Sequence, residues 1–93
     1  MPTPSAKRPR SAAALRYDGG SAGPTIVAAG RGEVAEKILA AAREASVPVR
    51  EDQLLAEALA ALDVGTEVPP ALYRAVAEAL VWAYALARRV RAA

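Results

Sequence analysis

The chain has 93 residues, enough for one small domain without a second independent core. It contains no cysteine and no histidine, which excludes disulfides, thiolate metal sites, cysteine nucleophiles and the usual serine–histidine triads. Hydrophobic residues make up 54% of the chain, but about half of them are alanine, so the composition favours helices and offers few bulky core side chains. Most familiar catalytic centres are therefore excluded before any motif is considered.

The charge of the chain is unevenly distributed. Its net charge is +2, but residues 1–16 carry four cations and no acid, whereas residues 17–87 carry five cations and ten acids. Three further arginines follow at positions 88, 89 and 91. A nucleic-acid-binding domain usually gathers its cations on one folded face, whereas these cations cluster at the two ends of the chain. We therefore expect no nucleic acid partner.

The first part of the chain predicts an arm followed by a hairpin. Residues 1–10 contain three prolines and three cations with little to bury, which is typical of a flexible, disordered basic arm. Residues 11–17 predict a strand that enters a glycine-rich turn at 18–21. Residues 25–29 predict a second strand, buried on both faces, and we expect the two strands to pair.

The next segment predicts a βαβ unit. Residues 31–45 predict an amphipathic helix, and residues 47–50 predict a short third strand parallel to residues 25–29. Pro48 indicates that this third strand is a sheet edge. The apolar face predicted for the helix comprises Val34, Ile38, Ala41, Ala42 and Ala45.

Two more helices are predicted in the second half. One begins near Glu51 or Asp52 and ends at the turn containing Gly65, and the other spans residues 70–89. No segment has the roughly 20 consecutive apolar residues that a membrane span needs. The sequence therefore predicts an α/β domain with a small three-stranded mixed sheet packed by three helices. The apolar stripe predicted on the last helix comprises Leu72, Val76, Ala79, Leu80, Ala83, Leu86 and Ala87.

The carboxylates and the glycine pair offer little chemistry. The sequence GRGE at residues 30–33 is similar to a phosphate-binding turn, but its glutamate would oppose an anion, so a tight strand-to-helix turn is favoured. Glu51 and Asp52 are favoured as helix-capping residues, because adjacent helical side chains point about 100° apart. Asp63 and Glu67 are favoured as ordinary solvated charges.

Two aromatic residues near the end of the chain are candidates for binding. Trp82 and Tyr84 could stack on bases, but packing in the core or against a partner is favoured because few cations surround them. No catalytic, cofactor-binding or metal-ligating residue is predicted. The residues alone thus favour a small interaction module over an enzyme.

Five segments together carry a family resemblance. They are residues 14–18 (ALRYD), 24–35 (PTIVAAGRGEVA), 47–48 (VP), 64–69 (VGTEVP) and 72–82 (LYRAVAEALVW). In this unbroken order they resemble the C-terminal cytoplasmic domain of the FlhB/YscU/SpaS type III export-switch family. The resemblance implies a flexible basic arm at residues 1–10 and an FlhB-like export-switch domain at residues 11–91.

The resemblance also implies that this domain stands alone, without the transmembrane part of the family. Family members cut themselves at an Asn-Pro-Thr-His motif through attack by the asparagine side chain. That motif would fall at residues 7–10, where the sequence is KRPR, and the chain contains no asparagine. We therefore expect no autocleavage, no enzymatic activity and no cofactor. We also expect a free sheet edge, since the family's strand before the cleavage loop is missing.

The function implied by the resemblance is that of a non-catalytic accessory of flagellar or type III protein export. It would bind export-apparatus proteins or export substrates, substitute for the FlhB C-terminal fragment, and reside in the cytoplasm at the cytoplasmic face of the apparatus, reaching the membrane only through partners. The family's small apolar pocket for export substrates carries over to Pro24, Ala77 and Leu80, whose alternative role is core packing. The alternative function is that of a basic-tailed adaptor that binds nucleic acid or an acidic membrane surface.

Overall fold

The computed structural model describes residues 10–20 and 22–92, with side chains described as far as residue 89. Apart from Arg10, the predicted basic arm at residues 1–10 lies outside the described residues. The elements are β1 (Ser11–Arg16), β2 (Thr25–Arg31), α1 (Glu33–Glu44), α2 (Gln53–Ala60), a 3₁₀ turn (Pro70–Leu72) and α3 (Tyr73–Ala92).

The two strands form an antiparallel ribbon, as predicted. Ser11 lies opposite Arg31 at one end, and Arg16 lies opposite Thr25 at the other. The register shifts between Ala14 and Leu15, where β2 contains one extra residue. Such a bulge increases the local twist of a strand pair. The glycine-rich turn between the strands was also predicted, and its Gly19 has a φ of 81°.

The predicted third strand is wrong, so the described sheet is two-stranded and antiparallel, not three-stranded and mixed. Residues 47–50 form no strand. The N–H of Val47 donates to the carbonyl of Ala42 at 2.9 Å, which closes the end of α1, and Pro48 has no N–H to donate. Val47 and Val49 are 53% and 41% exposed, so neither valine is packed as a strand residue in a sheet core would be.

A different segment lies beside β2. Ile26 donates its N–H to the carbonyl of Thr66 at 2.9 Å, and its own carbonyl accepts the N–H of Gly65 at 2.7 Å. The N–H of Val68 donates to the carbonyl of Pro24 at 2.9 Å. Residues 65–68 therefore form hydrogen bonds with the backbone at the start of β2 and run antiparallel to it. The sequence analysis had predicted a parallel neighbour for β2, at residues 47–50.

The buried face of α1 differs from the predicted one. Ala35 is fully buried, whereas Val34 is half exposed. The helix begins one turn after Gly30, and Val34 lies over that glycine at the end of β2 instead of facing the core. The predicted face is therefore right at Ile38 and Ala42, which are partly buried, and wrong at Val34, Ala41 and Ala45, which are exposed. The observed inward face comprises Ala35, Ile38, Leu39 and Ala42.

The second helix begins as predicted and ends earlier. The side chain of Asp52 accepts the N–H of Leu55 at 3.1 Å, the geometry of an N-cap. The helix ends at Ala60, so Gly65 does not terminate it. Gly65, with φ of 94°, instead lies in the separate turn that leads to the segment beside β2.

One compact cluster forms the core. Ile26 of β2, Leu59 of α2, Val76 of α3 and Val68 of the connecting segment are buried together. Strand residues on the same face, Ala13 among them, pack around this cluster. The alternation of strand side chains places the buried Ala12 on the opposite face, and α1 packs against both strands. The predicted α3 stripe is confirmed, since each of its members is buried or partly buried.

Candidate partner-binding site

One face of α3 lies along the connection between the two strands. Tyr73, Ala77, Leu80 and Tyr84 follow one another at spacings of four, three and four residues, which places them on one side of a helix. We call these four residues the α3 tyrosine face. Eleven residues of helix separate its two tyrosines by about 16 Å. The face is therefore long enough to extend along the whole connection at residues 17–24.

Contacts at both ends fix this arrangement. The hydroxyl of Tyr84 donates to the carbonyl of Tyr17 at 3.4 Å, just after β1. At the other end, a methyl group placed on Gly23 would lie 3.5 Å from the hydroxyl of Tyr73 and 3.8 Å from its ring carbon Cε1. Ala77 and Leu80 lie between these two contacts along the helix.

The three residues predicted to form the substrate pocket occupy different environments. Leu80 is partly buried and packs against the core cluster, and Pro24 is partly buried with its carbonyl bound to the N–H of Val68. Ala77 is exposed. Packing within the domain thus explains why Leu80 and Pro24 are partly buried, but Ala77 has no such packing role. Ala77 is the one of the three predicted residues whose side chain is exposed.

Glu67 supports this region, although the sequence favoured an ordinary solvated charge at this position. Its Oε1 accepts the N–H of Gly23 at 3.0 Å, directly before Pro24. The next residue, Val68, holds the carbonyl of Pro24. Neighbouring residues of one segment therefore fix both sides of Pro24. Glu67 and Gly23 are 44 positions apart, so no local pattern could reveal this bond.

The strand-to-helix junction at residues 30–33 is a tight turn, as favoured from the sequence. Gly32 precedes α1 with φ of 59°, and Glu33 and Glu36 both lie in the first helical turn. Two carboxylates at this helix N-terminus oppose the binding of a phosphate there. Among the described residues, no group of three or more acidic side chains is placed to hold a metal ion.

The two aromatic candidates do not form one stacking platform. Trp82 and Tyr84 are two positions apart on α3, so their side chains point about 200° apart around the helix. Trp82 is partly buried, and Tyr84 is half exposed with its hydroxyl on Tyr17. The two rings therefore serve different surfaces. No described helix combines the length and the hydropathy that crossing a bilayer would require.

The fold and this geometry agree with the relationships found for the chain. The sequence profile of the FlhB HrpN YscU SpaS Family matches residues 9–83. The chain belongs to this family. The resemblance inferred from the sequence is thereby confirmed, and membership connects this domain with flagellar biosynthesis, type III export and protein transport.

Individual relatives include one protein of similar length and several much longer FlhB proteins. The uncharacterized protein YlqH of Bacillus subtilis is 40% identical over 83 residues, which cover 88% of this chain and 89% of that protein. The flagellar biosynthetic protein FlhB of Escherichia coli is 42% identical over 77 residues, or 81% of this chain. FlhB of Aquifex aeolicus is 43% identical over 60 residues, or 63% of this chain. The matches span only 20% and 17% of those two FlhB proteins.

A solved structure supports the fold of the FlhB-like domain. The crystal structure of the PscU C-terminal domain superimposes with a TM-score of 0.72 and 29% identity. The match covers 78% of this chain and 95% of that one. The mixed α/β arrangement of a strand ribbon with three helices is thus that of an FlhB-like C-terminal domain.

Proposed function

We propose that the chain is a non-catalytic accessory of flagellar or type III protein export that binds export-apparatus proteins or export substrates. The observation that carries this proposal is the family match over residues 9–83, most of the folded part of the chain. In this role the domain resides in the cytoplasm, at the cytoplasmic face of the export apparatus.

The absence of asparagine supports a role in binding instead of cleavage. The chain contains no asparagine, so the self-cleavage expected of the family has no attacking group here. Residues 7–9, three of the four positions that correspond to the cleavage motif, lie outside the described residues. The described carboxylates form no metal site that would supply another hydrolytic chemistry.

We assign partner contact to Pro24, Ala77 and Leu80. The exposed methyl group of Ala77 lies one turn before Leu80 on the α3 tyrosine face. Pro24 is held at both sides by Glu67 and Val68, which makes its ring a fixed wall. A short apolar segment of an export substrate would be recognised by burial against these three residues.

We also propose that the chain substitutes for the FlhB C-terminal fragment, and the outer edge of β1 supports this role. Arg10 accepts the N–H of Gly32 at 2.8 Å, so its backbone faces β2. Backbone direction alternates along an antiparallel strand, so the N–H and C=O groups of Ser11 and Ala13 face away from β2. Within the described residues β1 pairs with β2 alone. This edge can receive a strand from the remaining part of an FlhB protein.

Complementation in a flagellated bacterium tests the proposal. The chain is expressed together with an FlhB truncated before the corresponding C-terminal segment, and motility and captured export proteins are measured. We expect restored motility and capture of export components. We expect Ala77→Glu to abolish both, because it places a charge at the apolar contact, whereas the control Ala40→Glu on the exposed side of α1 retains them. Failure of both rescue and capture would refute the role.

A further inference from the structure

The last turns of α3 present a second face, and its residues are exposed. Val81 is 68% exposed and Tyr84 is 50% exposed. Ala85 and Arg88 are also exposed, and the positions 81, 84, 85 and 88 share one side of the helix. Arg89 borders the same side. We call these five residues the α3 terminal face.

This face is positively charged at its end and lacks acids. The last acid in the chain is Glu78, and only arginines carry charge after it. Arg88 and Arg89 are exposed and form no ion pair with a residue that the structure describes. Arg10, in contrast, lies 3.5 Å from a carboxylate oxygen of Glu36. The two arginines near the end of α3 are therefore available to an external anion.

The helix end is held in place by the rest of the domain. The hydroxyl of Tyr84 binds the carbonyl of Tyr17, and Leu86 and Ala87 are partly buried on the inner side. The outer side therefore points away from the domain in a fixed orientation. Most of these turns also lie beyond residue 83, where the family match ends.

We propose that the α3 terminal face docks onto an anionic membrane surface. Arg88 and Arg89 would contact lipid phosphates, while Val81 enters the interface between headgroups and acyl chains and the exposed side of the Tyr84 ring lies against it. Apolar side chains, an interfacial tyrosine and arginines on one side of a helix are the features of an interfacial amphipathic segment. The apolar part favours lipid over nucleic acid, because a phosphate backbone offers Val81 no apolar phase to enter.

This inference goes beyond the export role. The sequence led us to expect contact with the membrane only through partners, and assigned the alternative of direct contact to the basic arm. Here the contact is direct and is made by the folded helix. The two faces share Tyr84, but the membrane contact does not depend on Ala77 and the partner site does not depend on Arg88 or Arg89, so the two proposals can fail separately.

Vesicle sedimentation tests the inference with the full chain. The probes are phosphatidylcholine vesicles with and without about 30% phosphatidylglycerol, at low and high salt. We expect binding only to the anionic vesicles, and weaker binding at high salt. Each cation near an anionic surface contributes about fivefold in partitioning, so Arg88→Gln/Arg89→Gln is expected to lose about 25-fold. The matched control Lys37→Gln/Arg43→Gln removes two exposed cations from α1 and is expected to change binding less than about twofold.

Three outcomes would overturn the inference. An equal loss in both double variants would show attraction by total charge alone. Loss of vesicle binding on deletion of residues 2–9, with Arg88→Gln/Arg89→Gln unaffected, would assign the contact to the basic arm. Binding of duplex DNA with the same arginine dependence, in the absence of vesicle binding, would show a nucleic acid surface. A further loss with Val81→Ser at unchanged helix content would support insertion of the apolar side.

Discussion

The side chain of Val34 lies over Gly30, so closely that a methyl group added to the glycine would overlap it, with only 2.7 Å to Cβ of Val34. Gly30 ends the buried part of β2, and Val34 belongs to the first turn of α1. The two residues thus set how tightly the helix returns onto the strand. Glycine at position 30 is required by close packing instead of by phosphate binding.

Gly30→Ala is therefore expected to lower the free energy of unfolding by about 1–3 kcal/mol through overpacking. Urea unfolding at equilibrium measures the change. Gly20→Ala is the matched control, because a methyl group at Gly20 meets nothing within 4 Å. Adding Val34→Ala to the Gly30→Ala variant should restore part of the loss. Equal stability of the two single variants would contradict this account.

Replacement of Ser46 by glycine is expected to stabilise the protein. Ser46 has φ of 59°, and its N–H and that of Val47 close the end of α1 on the carbonyls of Arg43 and Ala42, at 3.2 and 2.9 Å. This bond pattern usually places glycine at the left-handed position, where a side chain is strained. Ser46→Gly should therefore raise the free energy of unfolding by about 0.5–1 kcal/mol.

The adjacent position provides the control for Ser46. Ala45 has φ of −88°, which any residue adopts, so Ala45→Gly gains no relief of strain and loses chain entropy. We expect opposite signs for the two glycine variants in the same urea titration. Destabilisation by both would show that the strain at Ser46 is smaller than the entropic cost of glycine.

The core cluster makes a third prediction. Ile26 is fully buried between Leu59, Val68 and Val76, so Ile26→Ala should cost about 2–5 kcal/mol. Its neighbour Val27 is 42% exposed, and Val27→Ala should change stability much less. Thermal unfolding followed by circular dichroism compares the two. Similar losses would place the centre of the core elsewhere.

Local patterns in the sequence predicted the helices better than the sheet. The predicted stripe on the last helix is apolar over about four turns, and Asp52 caps α2 as its position suggested. The prediction of a third strand was wrong because the N–H of Val47 closes the end of α1. The residue pattern at 47–50 does not show where the preceding helix ends. Residues 65–68 lie beside β2 instead. Their hydrogen bonds to β2 join residues about 40 positions apart, so no local pattern in the sequence indicates them.

The candidate site was predictable only in part. The family resemblance implies a pocket at Pro24, Ala77 and Leu80, which stays a prediction, and the spacing of the last two residues places both on one side of a helix. The support from Glu67 was missed, because an isolated glutamate in a turn is ordinarily solvated and its partner is 44 positions away. Val81 lies outside the apolar stripe predicted on the last helix, and it is 68% exposed.

The bond from Glu67 to Gly23 gives the last prediction. Since the carboxylate accepts the Gly23 N–H at an exposed position, Glu67→Ala should cost only about 0.5–1.5 kcal/mol in global stability. Its main effect should be local: the Gly23 amide loses its acceptor, and its hydrogen exchange, measured by nuclear magnetic resonance, becomes faster. Glu67→Gln keeps a carbonyl oxygen at the same place and should retain most of the protection. If Gly23 exchanges equally fast in all three proteins, Glu67 does not hold the segment before Pro24, and the fixed wall proposed for the partner site lacks its support.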